Sequence, residues 1–272
     1  MNGLSVFSGY NRMRGFGVFC LFWITFGIGT YAQEGVLKSS PLVIDQSSPG
    51  SQHLFEEQEP EETGLGDFKN DFSSPHVWGK HWRTYLFGAI GTGIALGDVD
   101  GDGLPDLYAV SKNERSRLYR NLGDFRFEDM SEESGIDDTL EGKIDKFETS
   151  CGGVAFADVN NDGHLDLYLS FLGAPNQLWV NDGAGRFEER AKEWGIDVNS
   201  ASMMGYFADY DSDGLLDLYV ATNHLQEGDE YVLPKPDHLF RNTGSRFVET
   251  TIEAGISGVG HAHSAVWWDF NQ

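Results

Sequence analysis

Cysteine is nearly absent from this 272-residue chain, which has only Cys20 and Cys151. Cys20 lies in a segment that reads as an export signal: Arg12 and Arg14 precede the uncharged stretch 15–30, and Thr30-Tyr31-Ala32 places small residues where a signal peptidase cuts. That stretch is shorter than the roughly 20 apolar residues of a spanning helix, so residues 1–32 are expected to be cleaved rather than kept as an anchor. Cys151 is then alone, which excludes an internal disulfide in the mature chain and fits a small buried residue better than a nucleophile. An exported domain without disulfides needs another staple, and a bound metal ion is one. Basic residues are also scarce, with 19 Lys and Arg against 43 Asp and Glu, a formal net charge of −24. So negative a surface repels phosphate backbones and anionic lipid, which argues against nucleic acid or a membrane surface as partner and suits divalent cations. Catalytic signatures are missing too: there is no Gly-x-Ser-x-Gly elbow, no His-Glu-x-x-His and no phosphate-cradling glycine loop.

Residues 33–75 have few periodic hydrophobics, and the run Glu56-Glu57-Gln58-Glu59-Pro60-Glu61-Glu62 has the composition of a solvated, disordered acidic linker. From residue 76 to residue 272 the chain repeats itself. One block is GDVDGDGLPDLYAV (97–110), ADVNNDGHLDLYLS (157–170) and ADYDSDGLLDLYVA (208–221), with a fourth copy begun at Asp269. The other is LYRNLGDFRFEDMSEESGI (118–136), LWVNDGAGRFEERAKEWGI (178–196) and LFRNTGSRFVETTIEAGI (239–256). Asp98, Asp158, Asp209 and Asp269 lie 60, 51 and 60 residues apart, and Asn121, Asn181 and Asn242 lie 60 and 61 apart. The unevenness comes from extra residues at about 137–150 and 223–237. Leu107, Leu167 and Leu218 stand opposite in phase to Tyr108, Tyr168 and Tyr219, as on strands, and Asn181-Asp182-Gly183-Ala184-Gly185 reads as a hairpin turn. The predicted unit is strand, acidic turn, strand, strand, hairpin, strand: all-β, and the size of a four-stranded propeller blade.

The acidic turns carry the chemistry. Their pattern is Asp-x-Asp/Asn-x-Asp-Gly-x-x-Asp, made of Asp98, Asp100, Asp102 and Asp106, then Asp158, Asn160, Asp162 and Asp166, then Asp209, Asp211, Asp213 and Asp217. Calcium takes about six to eight hard oxygens in a flexible shell. Alternate side chains of a tight loop point to one centre, and Gly103, Gly163 and Gly214 supply a sharp turn that brings the carbonyl of Leu104, His164 or Leu215 to the ion. The last Asp closes the shell from the following strand. Without an ion, carboxylates so close repel one another. An EF-hand is excluded, because its closing Glu is replaced by Ala109, Leu169 or Val220 and the flanks are strands. Magnesium, which keeps several waters, needs fewer carboxylates.

The loops with the following Leu-Asp-Leu-Tyr resemble FG-GAP/VCBS repeats, which form calcium-bearing blades of the seven-bladed propeller in integrin α-chains. The second block is similar to that of bacterial relatives of cartilage acidic protein, whose longer members end in an ASPIC/UnbV module. The resemblance covers residues 76–272 and implies an incomplete β-propeller: three blades and the start of a fourth, with about three calcium sites and a fourth cut short at Gln272. Three blades cannot close a ring, so the sequence is expected to be a fragment of a longer reading frame. His261 and His263 share a strand face but lack an evident third metal ligand. The expected function is a secreted module, periplasmic or extracellular, that recognises or adheres to a protein or glycan without catalysis. The alternative is the propeller scaffold of a secreted polysaccharide-active enzyme whose catalytic residues lie in other loops or beyond Gln272.

Overall fold

Each acidic loop joins two antiparallel strands. In the computed structural model, β1 (Ile94–Gly97) enters the first loop and β2 (Asp106–Ala109) leaves it; β3 (Arg117–Asn121) and β4 (Phe127–Asp129) complete a four-stranded meander. The second unit is β5 (Ser150–Ala157), β6 (Asp166–Pro175), β7 (Gln177–Asn181) and β8 (Phe187–Glu189), followed by a single helical turn, α2 (Ala191–Trp194). The third is β9 (Asn199–Ala208), β10 (Asp217–Thr222), β13 (His238–Asn242) and β14 (Phe247–Glu249), with the short pair β11 (Gln226–Glu227) and β12 (Glu230–Tyr231) inserted. This is the order expected from the repeats, and the fold is that of an incomplete β-propeller.

The structure describes residues 57–68, 93–111, 115–138, 150–223, 226–227, 230–231, 236–256, 262 and 264–268. The expected signal peptide, most of the linker, residues 76–92, most of the 137–150 insertion, His261, His263 and the fourth loop from Asp269 lie outside the described residues.

The two faces of each central strand serve different neighbours. Leu167, Leu169 and Trp179 of the second blade pack with Tyr108, Val110 and Leu118 of the first. Tyr168 and Leu178, on the opposite face, pack with Leu218, Val220 and Phe240 of the third. The period of two along a strand thus puts leucine towards one blade and tyrosine towards the other. Blades two and three are also stitched edge to edge, Leu172 pairing with Ala201 and Pro175 with Asn199. Cys151 is buried in the first of these cores, as expected for a small packing residue. The start of the fourth repeat keeps the pattern: Trp267 lies edge-on to Tyr219 at 6.2 Å and 82°, as Phe207 does to Tyr168 at 5.8 Å and 88°.

Of the expected acidic linker, residues 57–68 are described. Pro60–Thr63 forms a helical turn, α1, that closes as the ends of the second and third repeats do. The Leu65 N–H donates to the Pro60 carbonyl at 3.1 Å, matching Ile196 to Ala191 and Ile256 to Thr251, both at 3.0 Å. Gly64 has φ +82°, as Gly135, Gly195 and Gly255 have 75°, 75° and 74°. A β-carbon on Gly64 would collide with the Phe127 carbonyl oxygen, and one added to Gly135 or Gly195 would meet the Phe187 or Phe247 carbonyl oxygen at 3.4 or 3.2 Å. Pro60-Glu61-Glu62-Thr63-Gly64-Leu65 is therefore another copy of Ser131-Glu132-Glu133-Ser134-Gly135-Ile136, seated on the first blade. Its glutamates face water, so their composition imitates that of a linker. Gly64→Val is expected to destabilise the protein by about 2 kcal/mol, the size of a left-handed backbone penalty with an added clash. Urea unfolding measures this, and a midpoint equal to wild type would return the segment to linker status.

Candidate metal centres

The first position of each loop organises the turn. Asp98 accepts N–H bonds from Gly101 at 2.8 Å, Asp102 at 3.1 Å and Gly103 at 2.9 Å. Asp158 takes those of Asp162 and Gly163, and Asp209 those of Asp213 and Gly214, at the same 3.1 and 2.9 Å. The loop glycines Gly103, Gly163 and Gly214 have φ of 88°, 88° and 90°, with open space where a side chain would stand. Backbone conformation rather than crowding requires glycine there.

The closing aspartates are the most buried acids among the described residues. Asp106 and Asp217 are 0% exposed and Asp166 1%. Each opens the strand after its loop and accepts two backbone N–H bonds, one from the second loop residue and one from the hairpin asparagine. These are Val99 and Asn121 for Asp106, both at 2.9 Å. For Asp166 they are Val159 at 3.0 Å and Asn181 at 2.9 Å. For Asp217 they are Tyr210 at 3.0 Å and Asn242 at 2.8 Å. Burial pushes the Asp166 carboxyl up to about 6 against the pull of its two N–H donors, with Asp162 and Asp158 adding repulsion. Asp106 and Asp217 are raised for the same reasons, burial first.

One oxygen each of Asp98, Asp100 and Asp106 lies within 4.8 Å of the others, and so do oxygens of Asp209, Asp211 and Asp217. Two oxygens bound to one ion at about 2.4 Å reach this separation at most, so the donor set and spacing fit a single hard cation such as calcium. The second loop offers no such trio of carboxylates, because its third position is Asn160, whose amide donates to Asp162 at 2.7 Å. The fifth-position acids take another role. Asp102, Asp162 and Asp213 each accept the N–H of the residue two ahead, Leu104, His164 and Leu215, at 2.8, 2.8 and 2.9 Å. Asp102 and Asp213 each keep a second oxygen for an ion, whereas that of Asp162 accepts the Asn160 amide. In the first loop Arg120 pairs with Asp100 at 2.7 Å, a counter-charge replaced by Val180 in the second repeat.

Residues 98–169 match the FG-GAP-like repeat. The match runs from the first aspartate of the first loop to the strand after the second. The resemblance of this chain to cartilage acidic protein also holds. Cartilage acidic protein 1 of Xenopus tropicalis is 29% identical over 133 residues, covering 47% of this chain and 19% of that protein. The human protein of that name is 27% identical over the same shares. The T-cell immunomodulatory protein homolog of Plasmodium yoelii yoelii is 25% identical over 171 residues, 53% of this chain and 22% of that protein. The chain thus spans about a fifth of the length of the curated relatives it matches. No helix among the described residues is long and apolar enough to cross a membrane.

The hairpin asparagines are the site residues that sequence reasoning passed over. The Asn121, Asn181 and Asn242 side chains accept the N–H of Gly123, Gly183 and Gly244 at 2.9, 3.0 and 2.9 Å. They donate to the carbonyls of Pro105, Leu165 and Leu216, just ahead of each closing aspartate, at 2.9, 3.0 and 3.1 Å. Their spacing was the signal: it tracks the loops while no ligand pattern needs them.

Proposed function

We propose that this chain is an exported, calcium-stabilised propeller module that recognises a protein or glycan and catalyses nothing. The convergence of three carboxylate oxygens in two loops of one repeated design carries the reading. Asp98, Asp100 and Asp106 would hold one ion and Asp209, Asp211 and Asp217 another. Asp158, Asn160 and Asp166 would hold a third with one charge fewer; the second oxygens of Asp102 and Asp213, that of Asp162 once the Asn160 amide turns away from it, and the carbonyls of Leu104, His164 and Leu215 would complete the shells. The bound ion supplies charge neutralisation, turning mutually repelling loops into rigid corners. Rigid corners on a blade scaffold are suited to presenting recognition loops. The repeat match and the net charge of −24 support the same reading.

Calorimetric titration of the chelator-treated full chain with calcium chloride tests it. About three ions are expected to bind per chain, with at least one lost in Asp98→Ala and one in Asp209→Ala. Heats no larger than those of dilution would sink the calcium reading.

A further inference from the structure

A continuous file of hydrogen bonds runs through all three loops and crosses both blade interfaces. The Asp106 carboxylate holds the Val99 N–H, and the Val99 carbonyl accepts the Asn181 side-chain amide of the next blade at 2.8 Å. The Asn181 backbone N–H is held by Asp166, whose other oxygen holds the Val159 N–H. The Val159 carbonyl in turn accepts the Asn242 amide at 2.7 Å, and the Asn242 N–H is held by Asp217. Asn181 and Asn242 are 3% and 1% exposed, so these bonds are shielded from water. A shorter link runs beside the file: the Asn161 amide donates to the Gly214 carbonyl of the third loop at 3.3 Å.

We propose that Asn181 and Asn242 couple the three loops, so that calcium fills them cooperatively. The inference rests on the calcium reading above. The physical step is the sharing of one ordered element by two sites. An ion in the first loop fixes the second loop residue, Val99, and so presents its carbonyl to Asn181. Asn181, once seated, offers its own N–H to Asp166 and so sets part of the second site before an ion arrives. The second ion then orders less than the first did, which is the condition for positive cooperativity. Val159 and Asn242 repeat the step towards the third loop. Asn121 lacks the crossing bond: among the described residues its amide reaches only Pro105 of its own repeat.

That difference provides the control. In calcium titrations of the full chain, wild type is expected to saturate more steeply than independent sites. Asn181→Ala is expected to flatten the curve and weaken the later ions about five-fold or more, the size of ordinary site-to-site coupling. Asn121→Ala, which removes the same local bonds without the crossing one, is expected to keep the steepness. Calcium binding with the same steepness in wild type and Asn181→Ala would overturn the coupling and leave the calcium reading intact, whereas no binding at all would overturn both. Hydrogen exchange of wild type at rising calcium needs no variant. Protection of 98–106, 158–166 and 209–217 in a single concentration step supports the proposal, and three separate steps overturn it.

Discussion

Asp166→Ala is expected to lower the unfolding free energy by about 3–6 kcal/mol in chelator, with no metal involved. Two buried N–H groups, Val159 and Asn181, lose their acceptor. Each orphaned buried donor costs about 1–3 kcal/mol, at the upper end when the lost partner carried charge. Water cannot repair the loss, because both faces of the second blade are covered by its neighbours. The raised pKa of Asp166 does not reverse this sign. Burial disfavours the charge, but the substitution removes the acceptor with it and leaves both donors in place. Against a typical total of about 5–15 kcal/mol, the loss is a large fraction of the stability. Asp162→Ala is the matched control: it is exposed, and in chelator it gives up surface bonds worth about 1 kcal/mol or less. Urea unfolding of both variants measures the gap. Equal midpoints would mean that the closing aspartate is a ligand alone and not also a structural acceptor.

What the sequence made legible was local. The loop pattern, the strand phase and the hairpins arise within about twenty neighbouring residues, and β1 to β4 stand in the expected order. What it hid depends on a second blade. Nothing near Asn181 in the chain says that its amide will meet the Val99 carbonyl, 82 residues earlier. Alternation along the loop likewise suggests that Asp98, Asp100 and Asp102 converge. That argument assumes an extended backbone, whereas Gly101 and Gly103 have positive φ and one Asp102 oxygen accepts the Leu104 N–H. The closing aspartate was assigned to the ion, but its burial and its two N–H donors emerge only once β2 and β3, or β6 and β7, pair. The turn at Pro60–Leu65 was concealed for a different reason. Its solvent side carries the glutamates that resemble a linker, while its identity rests on Gly64 and Leu65.

Acidification is expected to stabilise the metal-free protein and destabilise the calcium-loaded one. The folded Asp166 carboxyl sits at about 6, above its ordinary 3.8, because burial disfavours its charge. A group whose pKa rises on folding binds its proton more tightly in the native state, so stability falls as pH rises between the two values. Chelated protein should therefore gain stability as pH drops through 6 and level off near 4, by about 3 kcal/mol from Asp166 alone. Asp106 and Asp217, also raised by burial, add in the same direction. Asp129 and Glu249 oppose it. Burial would raise both, but hydrogen bonds from Ser131 and Arg117, and from His238 and Thr251, hold them low, so the stability they supply fades in acid. Comparing wild type with Asp166→Asn at each pH cancels those contributions. With calcium bound, protons compete with the ion for the same oxygens, and the slope reverses. Thermal melts between pH 5 and 8, with chelator and with calcium, read both slopes. A difference between wild type and Asp166→Asn that is flat with pH in chelator would show that the buried carboxyl does not titrate in this range.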